Sequence, residues 1–197
     1  LYEEVVRRNI EYATAIKAIA PRAAVFGPVS YGWHGFTSLQ DAPDGQGRDF
    51  LDFYLDEMRA VQRNTGRRLV DVLDIHWYPA VMIGKTRITE DSAQRDVAAA
   101  RIQAPRSLWD PNYVERSWIT EQSTHGAIRL LPRMREKIFK LYPNTPLAIS
   151  EYYFGGGADI SGALAQADAL GIFGREGVFA AALWHQGKTD DRFIYAA

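Results

Sequence analysis

Pro146-Leu147-Ala148-Ile149-Ser150-Glu151-Tyr152-Tyr153-Phe154-Gly155-Gly156-Gly157 is a short apolar run that ends in one carboxylate, a group of aromatics and three glycines. Apolar residues in a row, closed by turn formers, predict a strand buried on both faces whose last residues emerge at a loop. Glu151 then stands at the carboxyl end of a strand. Barrels and open sheets of the α/β class keep their chemistry there. Taken alone, Glu151 is as readily a strand cap as a functional carboxylate, so the flanking segments decide.

Those segments alternate. Val6, Ile10, Ala13 and Ile16 recur at helical spacing within residues 2–19, with Pro21 beyond as a stop. Ala23 to Pro28 reads as a buried strand, residues 29–36 as a glycine-broken aromatic loop, and Gln40 to Arg48 as its surface continuation. Leu51, Tyr54, Leu55, Met58 and Val61 make a second helix ended by Gly66, and Leu69 to Ile75 a second buried strand leading into His76-Trp77-Tyr78-Pro79. Residues 90–102 read as a helix capped by Asp91 or Ser92, and residues 107–118 as an ordered loop. Leu131, Met134, Ile138 and Leu141, entered at Pro132 and stopped by Pro143, form a helix with a basic outer face. After the Glu151 strand, Asp159 or Ser161 caps a helix reaching Phe173, and Val178 to Leu183 is a last buried strand ending in Trp184-His185-Gln186. This order predicts the α/β class with parallel strands and right-handed crossovers. Periodicity does not choose between half of an eightfold barrel and a doubly wound sheet.

Composition narrows the function. The chain has 197 residues, 47% apolar and 24% charged, which suffices for one core. A net charge of -1 offers neither a basic field for nucleic acid nor a polybasic segment for a membrane surface. There is no cysteine, hence no disulfide framework and no thiolate metal site. No apolar run approaches a membrane span. Leu1-Tyr2-Glu3-Glu4 opens inside a predicted helix, so a piece of a longer protein is expected.

Each strand end carries aromatics: Tyr31 and Trp33, Trp77 and Tyr78, Tyr152 and Tyr153, then Trp184. Flat apolar faces beside hydroxyls and carboxylates suit a sugar, whose C–H faces stack while its hydroxyls find polar partners. The histidines, His34, His76, His125 and His185, show no metal-ligand spacing, and His76 taken alone reads as a hydrogen-bonded core residue. The triple glycine lacks the flanks of a phosphate loop, and no Gly-x-Ser-x-Gly elbow occurs. Carboxylate chemistry fits best. Glycoside hydrolysis normally needs two carboxyl groups, and hydroxyl donors such as Tyr78 would help an attacking Glu151 stay ionised.

Several motifs together resemble glycoside hydrolase family 44: residues 26–33, Asp74-Ile75-His76-Trp77-Tyr78-Pro79, Arg106 to Val114 with Ser117-Trp118-Ile119, and Ile149-Ser150-Glu151-Tyr152. The Ser107-Leu108-Trp109-Asp110-Pro111 segment is the most specific of these. The resemblance implies strands 5 to 8 of a (β/α)8 barrel acting on β-1,4-glucans or xyloglucan, with residues 1–197 a partial catalytic domain. It implies Glu151 as nucleophile of a retaining mechanism, Tyr78 positioning it and His76 nearby. Trp184 would stack on the sugar, and Tyr31, Trp33, Trp109, Trp118 and Tyr152 would line the cleft. No cofactor is implied beyond a possible structural calcium, and a polysaccharide substrate implies secretion.

One departure counts. The family's acid/base lies in Asn-Glu-Pro, and none of Asn9, Asn64, Asn112 and Asn144 precedes a Glu. Glu121 is the remaining candidate and sits in a predicted loop. The expected partner is therefore a missing amino-terminal half-barrel or a second copy of the chain. The alternative is a half-barrel that binds glucan or self-associates without turnover.

Overall fold

The computed structural model describes residues 1–185 and 191–195; Gln186, which the sequence places at the last strand end, lies outside them. Two compact units are present. One comprises Leu1–Trp77 with Met134–Ser150, the other Tyr78–Arg133 with Glu151–Ala197. The strands β1 (Phe26–Ser30), β2 (Val72–Trp77), β5 (Leu147–Tyr152) and β6 (Ala180–Leu183) form a parallel sheet in that order, with a separate two-stranded hairpin of β3 (Met82–Ile83) and β4 (Thr86–Arg87).

In the first unit, α1 (Tyr2–Ile19) buries Tyr2, Val6 and Ala13. The strand β1 (Phe26–Ser30) is shifted from the expected 23–28 and is only partly buried. The cause is Asp71. Its Oδ2 accepts the Val25 N–H at 2.7 Å and the Lys17 ammonium at 2.7 Å, so only the carbonyl of residue 25, which accepts the Asp71 and Val72 N–H groups at 2.9 and 3.2 Å, pairs with the backbone opposite. Further on, the β1–β2 register slips between Pro28 and Ser30, where Val29 has φ of 56°. The expected loop after β1 contains a short helix, α2 (Trp33–Thr37).

The helix α3 (Phe50–Thr65) follows its sequence signals closely. Asp49 accepts the Asp52 N–H at 3.0 Å as N-cap, and Gly66 ends the helix at φ of 69°, a conformation open to glycine at no steric cost. Its buried stripe of Phe50, Leu51, Tyr54, Leu55 and Met58 is what the three- and four-residue spacing requires. Lys137 of α5 (Leu130–Leu141) bridges Asp49 at 2.9 Å and Asp52 at 2.6 Å, joining the start of α3 to the basic face of α5. Every residue of β2 (Val72–Trp77) is buried. Its large apolar side chains each contribute roughly 1.5–3 kcal/mol of burial, which makes β2 the centre of the core.

In the second unit, β3 (Met82–Ile83) and β4 (Thr86–Arg87) form a hairpin around Gly84 that no sequence period announces. The helix α4 (Arg95–Gln103) begins later than expected, and neither Asp91 nor Ser92 caps it. The Arg101 guanidinium holds the carbonyls of Glu90 and Ser92 at 2.9 and 3.0 Å, which keeps that stretch out of the helix. The expected loop at 107–118 opens with a 3-10 turn, Ala104–Leu108, and is followed by a π-helical turn, Ile119–Thr124. Asp159 caps α6 (Ile160–Arg175) through the Ser161 N–H at 2.9 Å.

The strand β5 (Leu147–Tyr152) matches its reading, buried through Ile149 and opening at Ser150 and Glu151. By contrast β6 (Ala180–Leu183), expected to be buried, is largely exposed. It stands at the sheet edge, and its alanines have little side chain to cover it. Among the described residues no helix is long and apolar enough to cross a membrane.

Candidate active site at the end of β5

Side chains alternate across a strand, so Glu151 and Tyr152 must point to opposite faces. Tyr152 faces α6. It is 2% exposed, stands edge-on to Phe173 with ring centroids 5.0 Å apart, and its hydroxyl accepts the Gln166 Nε2–H at 2.8 Å. The expectation that Tyr152 touches substrate is thereby corrected: it is a core residue. Glu151, half-buried, receives the Tyr78 hydroxyl on Oε2 at 2.7 Å. Burial first, then the hydrogen bond and charge of Glu151, push the Tyr78 phenol above its ordinary pKa. Tyr78 therefore stays a donor at any working pH.

In the first unit, two contacts fix the residue just before Glu151. Asp74, buried in the middle of β2, accepts the Ser150 N–H on Oδ1 at 2.9 Å. The His76 Nε2 lies 3.2 Å from the Ser150 hydroxyl. Two residues apart, His76 and Tyr78 would share one face of a continuing strand. They bond residues of opposite parity, because β2 ends at Trp77 and alternation no longer governs Tyr78.

The aromatics divide. Trp184 is 56% exposed, and its main-chain N–H bonds the Tyr152 carbonyl at 3.1 Å, which sets it at the end of β6 beside the end of β5. Tyr31 is 53% exposed and accepts a hydrogen bond from Gln40 Nε2 at 3.0 Å. Trp33 departs from the open cleft wall expected of it. At 5% exposure it packs edge-on to Phe36, at 5.3 Å, because α2 turns its ring inward. Trp109 and Trp118 are half-buried, and the Arg175 guanidinium covers one face of Trp109 at 4.3 Å. Glu121 is exposed on the π-helical turn.

Two contributors were not foreseen. Asp74 had one signal, a carboxylate amid the apolar residues of β2. Arg87 had none, since its targets are main-chain carbonyls: Nε donates to Pro79 at 2.8 Å and Nη2 to Tyr78 at 3.1 Å. Among the described residues no three His, Cys, Asp or Glu side chains converge as a metal-ligand set.

Parallel βα units with a carboxylate, a tyrosine hydroxyl and an exposed tryptophan at the strand ends define a segment of the α/β-barrel class. The model of glycoside hydrolase family 44 matches residues 1–81. The chain is 45% identical over 201 residues to Endoglucanase A of Paenibacillus lautus, covering 98% of this chain and 28% of that protein. It is 43% identical to Beta-mannanase/endoglucanase A of Caldicellulosiruptor saccharolyticus, over 92% of this chain and 15% of that one. The solved family 44 xyloglucanase of Paenibacillus polymyxa superposes with a TM-score of 0.94 at 42% identity, over 99% of this chain and 39% of that one. Over nearly its whole length the chain is similar to proteins of glycoside hydrolase family 44, and it spans well under half the length of these relatives.

Proposed function

We propose that this chain is the carboxy-terminal half of a (β/α)8 catalytic domain that hydrolyses β-1,4-glucans or xyloglucan with retention of configuration. The observation that carries the reading is the Tyr78–Glu151 hydrogen bond of 2.7 Å at the end of β5. A carboxylate held by a neutral donor keeps its charge and its aim, as a nucleophile requires. Support for the substrate class comes from relatives described as an endoglucanase and as a xyloglucanase, one of the latter solved with xyloglucan.

In this reading a Glu151 oxygen attacks the anomeric carbon while the glycosidic C–O bond breaks. A carboxylic acid about 5 Å away gives its proton to the leaving oxygen. Water then attacks the same carbon, surrenders a proton to that second group and frees Glu151 as carboxylate. The remainder of the barrel supplies the acid/base and covers the exposed edge strand β6. Trp184 offers its open face to the sugar ring, with Tyr31, Trp109 and Trp118 as further contacts, and His76 steadies Ser150 rather than touching substrate. A polymeric substrate places the protein's work outside the cell.

Retention is directly testable in the complete catalytic domain. Proton NMR of freshly cut chains should show the β-anomer of the new reducing end before mutarotation; first appearance of the α-anomer would contradict the mechanism.

A further inference from the structure

The last residue of the hairpin β3-β4, Arg87, grips the backbone beside the site. We propose that Arg87 is a positioning residue: by clamping the carbonyls of Tyr78 and Pro79, it aims the Tyr78 hydroxyl at Glu151. This inference rests on the reading of Glu151 given above.

The backbone at Tyr78 needs such a clamp. β2 ends at Trp77, so no strand assignment extends over Tyr78, and Pro79 has no N–H with which to anchor itself. The guanidinium is a planar fork, and its two donors meet two successive carbonyls at 2.8 and 3.1 Å. A lysine ammonium in its place is a point charge on a flexible stem and does not reproduce that fork.

Arg87 is in turn held. It is half-buried, and burial works against its charge, while the carboxylates of Glu115 and Glu90 favour it. Glu115 is 2% exposed, and the Ser107 hydroxyl donates to its Oε2. Burial pushes the Glu115 carboxyl up, opposed by Ser107, Ser117, the Ala80 N–H and the charge of Arg87. A carboxylate is rarely buried so fully unless it serves a cation or a network. The Met82 N–H bonds the Arg116 carbonyl at 3.1 Å and ties the hairpin to this segment. The Ser107–Ser117 stretch, which opens with the most family-specific segment of the sequence, thus carries the buried carboxyl group whose charge favours that of Arg87.

The test is a double-mutant cycle in the complete catalytic domain, with kcat and KM measured on an aryl β-cellobioside. Arg87→Ala and Tyr78→Phe should each lower kcat by roughly ten- to a hundredfold, the loss expected from misplacing a group by about 1 Å. KM should stay within about twofold. Arg87→Ala added to Tyr78→Phe should cost nothing more, because the clamp acts only through the hydroxyl. Arg87→Lys should fall between parent and Arg87→Ala, and takes its place in the cycle if Arg87→Ala does not fold. Equal losses from the Arg87 change in both backgrounds would reduce Arg87 to a structural residue and overturn the inference, leaving the site reading intact. Parental kcat in Tyr78→Phe would overturn both.

Discussion

Glu151→Gln in the complete catalytic domain should lower kcat by on the order of 10⁴-fold or more, the scale reached when a covalent nucleophile is removed. Binding of β-1,4-glucan should change little. The amide has nearly the shape of the carboxylate and keeps an oxygen to accept the Tyr78 hydroxyl, whose hydrogen bond to Oε2 is 2.7 Å in the parent. The neighbouring anchors, Asp74 to the Ser150 N–H and His76 to its hydroxyl, are untouched. What is lost is the charge and the ability to form a glycosyl ester. Steady-state kinetics paired with calorimetric titration of a cello-oligosaccharide would separate the two effects. Turnover within tenfold of the parent would remove Glu151 from the chemistry.

Arg101→Met carries the largest expected cost in stability, about 3–5 kcal/mol, as found when one member of a buried charged network is removed. Arg101 is wholly buried. Its donors meet the carbonyls of Ile88, Glu90 and Ser92 and the hydroxyl of Ser161, and Asp159 lies 3.8 Å away. Methionine fills much of the volume and satisfies none of these acceptors. The glycines after Tyr153 depend on the same centre. A Cβ on Gly156 would fall within 2.6 Å of the guanidinium, and one on Gly155, at φ of 87°, would overlap the Ile88 carbonyl. Only glycine lets this loop pass so close to Arg101 and Ile88. Urea unfolding of parent and variant should show a lower midpoint at similar slope; a loss under about 1 kcal/mol would contradict the network's role.

Much of the scaffold was legible because its signals are local. α3 announced itself through an apolar stripe and Gly66, and β2 and β5 through apolar runs of strand length. β1 was misplaced because an acceptor far off in sequence, Asp71, takes the Val25 N–H. The hairpin β3-β4 escaped because two residues per strand cannot display a period. At the site, the Glu151–Tyr78 pairing was anticipated from residue types at strand ends. Tyr152 was not resolved, since the same strand end points one neighbour toward Tyr78 and the next into the core. Arg87 left no trace at all: residues that act on main-chain carbonyls need no partner side chain, so sequence chemistry has nothing to pair them with.

The central claim is that Glu151 forms a bond to the sugar. Incubating the complete catalytic domain with an activated 2-deoxy-2-fluoro β-cellobioside slows both steps but the second more, so the covalent intermediate accumulates. Peptide mapping by mass spectrometry should then find one glycosyl adduct, on Glu151 within the segment Leu147–Phe154. An adduct on a different carboxylate, or no adduct from an enzyme that turns over the parent substrate, would contradict the account.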